Sequence, residues 1–364
     1  KIMMLEPSDS QECKEFTRIA FDMSEEYDTP AFIRLSTRVS HSQSVVTLGE
    51  RKELPLKDYV KDPQKYVMMP AFAKLKHIEV EERTKKLVEY AETAPINTVE
   101  MNSDEIGVIT AGICYQYAKE ALGDKASYLK LGMVNPLPEK LIRDFASKVK
   151  KLYIVEELDP VIENHVRKLG VSCFGKDVFT MLGEYSQTYL KEKILGEKNE
   201  ILSFGEDVPV RPPVMCAGCP HRGVFYTLKK LGVVVSGDIG CYTLGAAAPL
   251  QAMDSTVCMG ASVSGLHGFN KARKEYEGKS VAVIGDSTFI HSGITGLINI
   301  AYNGSNSTVL ILDNSITGMT GHQNNPANGK NIYGDPASAV DLEALCKAVG
   351  INRVRVIDPG NLAQ

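Results

Sequence analysis

Apolar positions along this chain fall into two rhythms. The runs "IGVITAGI" from Ile106, "ASYLKLG" from Ala126 and "LYIVEE" from Leu152 are almost continuously apolar and only strand-long, as expected of strands covered on both faces. Between them, "CYQYAKEALG" and "PEKLIRDFASKVKK" carry apolar residues at helical spacing. Strand and helix alternating in this way build βαβ units, and hence a parallel sheet flanked by helices. The alternation returns after "VPVRPPVM": "GVVVSG", "STVCMG", "SVAVIG" and "STVLILD" read as strands, "FNKARKEYEG" and "IHSGITGLINIAYNG" as helices.

The opening residues read as a helix from Asp9 to Tyr27, with Ser8 and Gln11 spaced as a capping box, followed by the strand "TPAFIRLST". From Gly49 to Asn102 the chain is charged and punctuated by proline, yet Val80, Thr84, Leu87, Val88 and Ala91 keep helical spacing. The pattern therefore predicts a multi-domain α/β protein in four stretches. Residues 1–48 are the end of an α/β domain, 49–102 a connector with one helix, 103–200 a compact α/β domain and 205–364 a second one. A first residue that is Lys1, entering directly on a helix start, suggests a piece of a longer polypeptide.

Composition narrows the partners. Lys plus Arg number 41 against 45 Asp plus Glu, a formal net charge of −4, which gives no electrostatic reason to expect nucleic acid or an anionic membrane. No apolar run approaches the ~18 residues of a membrane helix, and no signal-peptide layout opens the chain. The eight cysteines lack the density of a secreted disulfide scaffold, so the expectation is a cytoplasmic chain with thiols, or ligands where cysteines cluster.

Ligands of parallel sheets gather outside the carboxyl ends of the strands, and Asp286 stands at such an end. Alone, Gly285-Asp286-Ser287 also reads as a helix N-cap. One crossover later, however, "STVLILD" brings Asp313 and Asn314 to the same edge. Two hard oxygen donors there, with Ser287 and Thr288 opening a helix, suit a divalent cation held with a phosphate. Cys216 and Cys219 form a Cys-x-x-Cys with Cys241 further on, a set able to bind zinc or an iron–sulfur cluster, or to act in redox chemistry. His221 and His291 follow two of these motifs and are candidates for proton transfer or phosphate contact. The pair Glu156-Glu157 ends a strand and reads as a solvated edge or a contact between domains, since neighbours on a strand face opposite ways.

Gly285-Asp286-Ser287 followed by Asn314 resembles the metal and diphosphate motif of thiamine diphosphate enzymes. With "CAGCPHRG", "GDIGCYTLG", "CMGAS" and "LDNSITGMTGHQ", the chain resembles the 2-oxoacid:ferredoxin oxidoreductases, and within them the branch acting on aryl pyruvates such as indolepyruvate. The resemblance extends to "LEPSDSQE" and "IRLSTRVSHS" and covers essentially the whole chain.

It implies a thiamine diphosphate-binding fold at 205–364, a middle domain like the transketolase C-terminal domain at 103–200, and in 1–48 the end of a pyrimidine-binding-type domain. Mg²⁺ would be held by Asp286, Asn314 and the backbone carbonyl of Ile316. Gly285, Ser287, Thr288, Thr317, Gly318, Met319, Cys216, Gly240 and Cys241 would lie along the cofactor, and Met319, otherwise a core-filling residue, would pack against it. In relatives, Cys216, Cys219 and Cys241 match ligands of a 4Fe–4S cluster. Iron–sulfur clusters are expected in the full-length protein, while in this stretch the cysteines read as pocket-lining. The activity implied is conversion of an aryl pyruvate and coenzyme A to an aryl acetyl-CoA, CO₂ and reduced ferredoxin, with a beta subunit and ferredoxin as partners. The activating glutamate would lie outside these residues. The alternatives are a non-oxidative thiamine enzyme, such as a decarboxylase or a transketolase relative, and a non-catalytic assembly module with zinc on the three cysteines.

Overall fold

The structure, a computed structural model, describes residues 1–51, 53–198 and 205–361. The chain divides into two compact units, Lys1–Phe204 and Gly205–Gln364. The expected divisions at 48 and 102 both fall inside the first unit, and the last two residues of the stretch 103–200 lie outside the described residues.

The first unit holds a four-stranded sheet in the order Thr98–Glu100, Ser127–Leu131, Ile106–Ala111, Lys151–Val155. Only Thr98–Glu100 runs antiparallel to its neighbour. Ser127–Leu131 is buried at every residue, which explains a run with no polar alternation. Helix Ile113–Leu122 covers one face through Ala118, Ala121 and Leu122, and helices Glu139–Ala146 and Val161–Lys168 cover the other through Ile142, Phe145 and Val166.

A three-stranded sheet in the same unit pairs Met3–Leu5 with Ala31–Ile33 and with Met133–Asn135. Phe16, Ala20 and Met23 of helix Ser10–Tyr27 pack there with Leu87 and Ala91, from the end of the long helix Pro70–Ala91. The helix expected within the connector thus ends in a core. Two local readings are corrected. The cap of the first helix is Asp9, whose carboxylate accepts the Glu12 N–H at 2.9 Å, while Glu12 accepts the Ser8 N–H at 2.8 Å; Gln11 has no part in the cap. Glu156 accepts the N–H groups of Ile162 and Glu163, both at 2.9 Å, and Glu157 that of Tyr185 at 2.8 Å. This pair staples the backbone of buried residues, where a solvated edge or a contact between domains was expected.

The second unit is built on three parallel strands in the order Thr308–Leu312, Ser280–Gly285, Val234–Ser236. Phe225 and Leu228 of helix His221–Leu231 join Tyr242 and Val283 in one core. Val263 and Leu266 of helix Ala261–Ala272 join Leu297, Ile300 and Ile284 in the other. "STVCMG" is not a strand: Ser255 makes a single bridge to Ser236, and the chain then turns at Gly260, φ +89°, into a helix that starts at Ala261. That helix begins well before "FNKARKEYEG"; Gly265 and Gly268 had masked its first turns.

Candidate functional site

Strand Ser280–Gly285 pairs in register with Thr308–Leu312, Leu312 opposite Gly285. The next residues, Asp286 and Asp313, therefore leave the sheet side by side, with Asn314 following. A helical stretch starts directly at Asp286, passes through a π turn at Phe289–Gly293 and continues to Asn303; such turns interrupt helices most often at functional sites.

Asp286 is 2% exposed. Its carboxylate accepts the Asn325 side-chain amide at 2.8 Å and the backbone N–H groups of Ser287 and Asn314. Burial pushes its pKa up, the Asn325 bond opposes this, and the Asp313 charge adds to the rise. No lysine or arginine pairs with either carboxylate among the described residues. A buried carboxylate beside a second one, without a side-chain cation, is costly unless something neutralises it.

A cavity of about 110 Å³ opens at this point. It is lined by Gly285, Asp286, Ser287 and Thr288 from the helix start; by Asn314, Ile316, Thr317, Gly318, Met319 and Thr320 from the loop after the last strand; and by His221, Ile239, Gly240, Cys241, Tyr242, Met259 and Leu312. Thr317 Oγ1 donates to Ser287 Oγ at 2.9 Å, tying the loop to the helix start. Met319 is 50% exposed, so it is not core filling. His221 is buried against the edge of the Tyr242 ring, and its burial lowers its pKa while Asp286 raises it. At neutral pH it is an uncharged imidazole.

Tyr242 and Asp238 hold the floor. The Tyr242 ring fills the notch left by two glycines: a Cβ at Gly240 or Gly285 would come within 2.4 or 2.5 Å of it. The fully buried Asp238 carboxylate accepts the N–H groups of Ile239, Gly260 and Ser262 at 2.8–3.0 Å, fixing the Gly240–Cys241 turn to the start of helix Ala261–Ala272.

Not every candidate converges. His291 is exposed and does not line the cavity, nor do Cys216 and Cys219. Cys216 and Cys219 are near enough to Cys241 to raise its pKa, after burial, which keeps that thiol protonated. Among the described residues no group of three His, Cys, Asp or Glu side chains is placed to hold a metal ion, so the zinc reading finds no assembled ligand set. Sequence reasoning missed Tyr242 and Asn325. The glycines at 240 and 285 were a trace of the first, whereas "HQNNPANG" reads only as loop.

The lining fits a divalent cation with a diphosphate: the buried Asp286 carboxylate, the Asn314 side chain and the hydroxyl-bearing Ser287 and Thr317 meet at one cavity. Residues 238–364 match the family described as thiamine pyrophosphate enzyme, C-terminal TPP binding domain. Over its whole length the chain is 39% identical to the indolepyruvate oxidoreductase subunit IorA of Archaeoglobus fulgidus and 37% identical to that of Pyrococcus abyssi. With the subunit of Methanothermobacter marburgensis it shares 36% identity over 99% of the chain. The whole chain is thus similar to these oxidoreductase subunits, and its residues 238–364 to the thiamine pyrophosphate-binding domain. It spans 62% of the length of each of these relatives. The matched stretch begins at Asp238, the residue that fixes the cavity floor.

Proposed function

We propose that the second unit anchors the diphosphate end of thiamine diphosphate through Mg²⁺. The whole protein would then convert an aryl pyruvate and coenzyme A to an aryl acetyl-CoA and CO₂, passing two electrons to ferredoxin. One observation carries this reading: Asp286 and the Asp313-Asn314 pair emerge together at adjacent strand ends, over a cavity where, among the described residues, no lysine or arginine neutralises the Asp286 carboxylate. The relatives' name, indolepyruvate oxidoreductase, supports the substrate class.

Asp286, Asn314 and the Ile316 carbonyl would hold the cation, while the Ser287, Thr288 and Thr317 hydroxyls face the diphosphate. When bound, thiamine diphosphate supplies the electron sink for loss of CO₂ from a 2-oxoacid. His221 lines the cavity, and its lowered pKa favours the uncharged imidazole there. Ile239, Tyr242, Met259 and Leu312 restrict water there. A cavity of about 110 Å³ is well below the ~300–1,000 Å³ of complete small-molecule sites, in keeping with a unit that holds one end of the cofactor. A beta subunit and iron–sulfur clusters for electron exit belong to the same proposal. Asp286→Ala is expected to abolish Mg²⁺-dependent thiamine diphosphate binding in titration calorimetry, and unchanged affinity would refute the site.

A further inference from the structure

We propose that Asn325 is the positioning residue that aims the Asp286 carboxylate, and that the loop from Asn314 to Asn325 carries both a cation ligand and the means of orienting another. The inference rests on the anchoring role given above to Asp286. Asn325 is 6% exposed and donates from Nδ2 to Asp286 Oδ2 at 2.8 Å. Its other amide atom, Oδ1, accepts the Ala327 N–H at 2.9 Å. These two bonds settle which way the amide faces, because a carboxylate only accepts and an N–H only donates. The side chain is therefore locked at both ends, and one oxygen of Asp286 is held in a fixed direction.

The path of the loop makes this a device of tertiary structure. Leaving the strand at Leu312, the chain presents Asn314, then closes on itself where Thr317 and Gln323 exchange backbone hydrogen bonds at 3.0 and 3.2 Å. Thr317 Oγ1 pins this small hairpin to Ser287. The loop then returns to place Asn325 against Asp286 from the side opposite in sequence to Asn314. Groups that orient a metal ligand, without touching the metal, commonly account for a 10–100-fold difference in metal affinity.

The test is thiamine diphosphate affinity at one fixed Mg²⁺ concentration below saturation, measured by calorimetry on the full-length protein, beside the melting temperature without ligands. Asn325→Ala removes both bonds and is expected to weaken binding about tenfold or more. Asn325→Asp keeps the acceptor that Ala327 uses, and with it the turn, but removes the donor and sets a second carboxylate against Asp286; it is expected to weaken binding at least as far. An Asn325→Asp protein within threefold of wild type would overturn the inference, since Asn325 would then serve only the turn. So would an Asn325→Ala protein with unchanged affinity. The two readings fail in different ways: if wild type binds and Asp286→Ala does not, Asp286 stands whatever Asn325 does, and if wild type fails to bind, both fall.

Discussion

Asp286 acts on the charge of His221, which lines the same cavity. Burial holds the imidazole below its usual range, and the Asp286 carboxylate partly restores it. Taking that carboxylate away therefore lowers the His221 pKa further, because the protonated ring loses its one favourable charge. The expected result in Asp286→Ala is a His221 titration, followed by NMR, shifted to lower pH than in wild type; a shift to higher pH would contradict the arrangement. Asp286 itself was legible in the sequence from Gly285-Asp286-Ser287 and its distance to Asn314, because strand ends in a parallel sheet are predictable places. Asn325 was not legible, since its role depends on where a long loop returns. His291 shows the converse: a histidine one helical turn beyond a motif still faced solvent.

At the scale of elements, the site depends on two glycines and a ring. Gly285 has φ −79° and ψ 158°, open to any residue, so its side-chain limit comes from Tyr242 alone. Gly285→Ala places a Cβ 2.5 Å from that ring and is expected to cost about 1–3 kcal/mol, as overpacking does, with weaker cofactor binding because the ring must move into the cavity. Urea denaturation measures the first effect and calorimetry the second; a fully stable variant with normal binding would exclude the notch. The strands Ile106–Ala111, Lys151–Val155 and Ser280–Gly285 were readable because burial on both faces writes itself as an apolar run. "STVCMG" was misread for the same reason. Its apolar look is strand-like, but the Asp238 carboxylate gathers the N–H groups at Gly260 and Ser262 and makes the segment a helix entry.

For the whole molecule, the cavity in the second unit is about 110 Å³, enough for only one end of the proposed cofactor, and the chain spans 62% of the length of the Archaeoglobus fulgidus relative. No helix among the described residues is long and apolar enough to cross a membrane. The proposed overall reaction is accordingly tested on the full-length protein together with the proposed beta subunit. Indolepyruvate and coenzyme A are expected to reduce ferredoxin in step with CO₂ release, two reduced carriers per CO₂. Release of CO₂ with neither coenzyme A nor an electron acceptor would instead identify a non-oxidative thiamine enzyme. Iron analysis of the same protein asks whether Cys216, Cys219 and Cys241 ever assemble as ligands, which they do not do in this structure.

By itself, the sequence determined the alternation of strands and helices, the parallel sheets and the carboxylate at a strand end. All three follow from short-range rules, namely the period of apolar residues and the polarity of strand termini. Only the tertiary structure decided how the first strand finds Met133–Asn135, how Tyr242 comes to rest on Gly240 and Gly285, and which amide holds Asp286. Those contacts join residues far apart in the chain, and the loops that bring them together carry no periodic pattern that states where they will return.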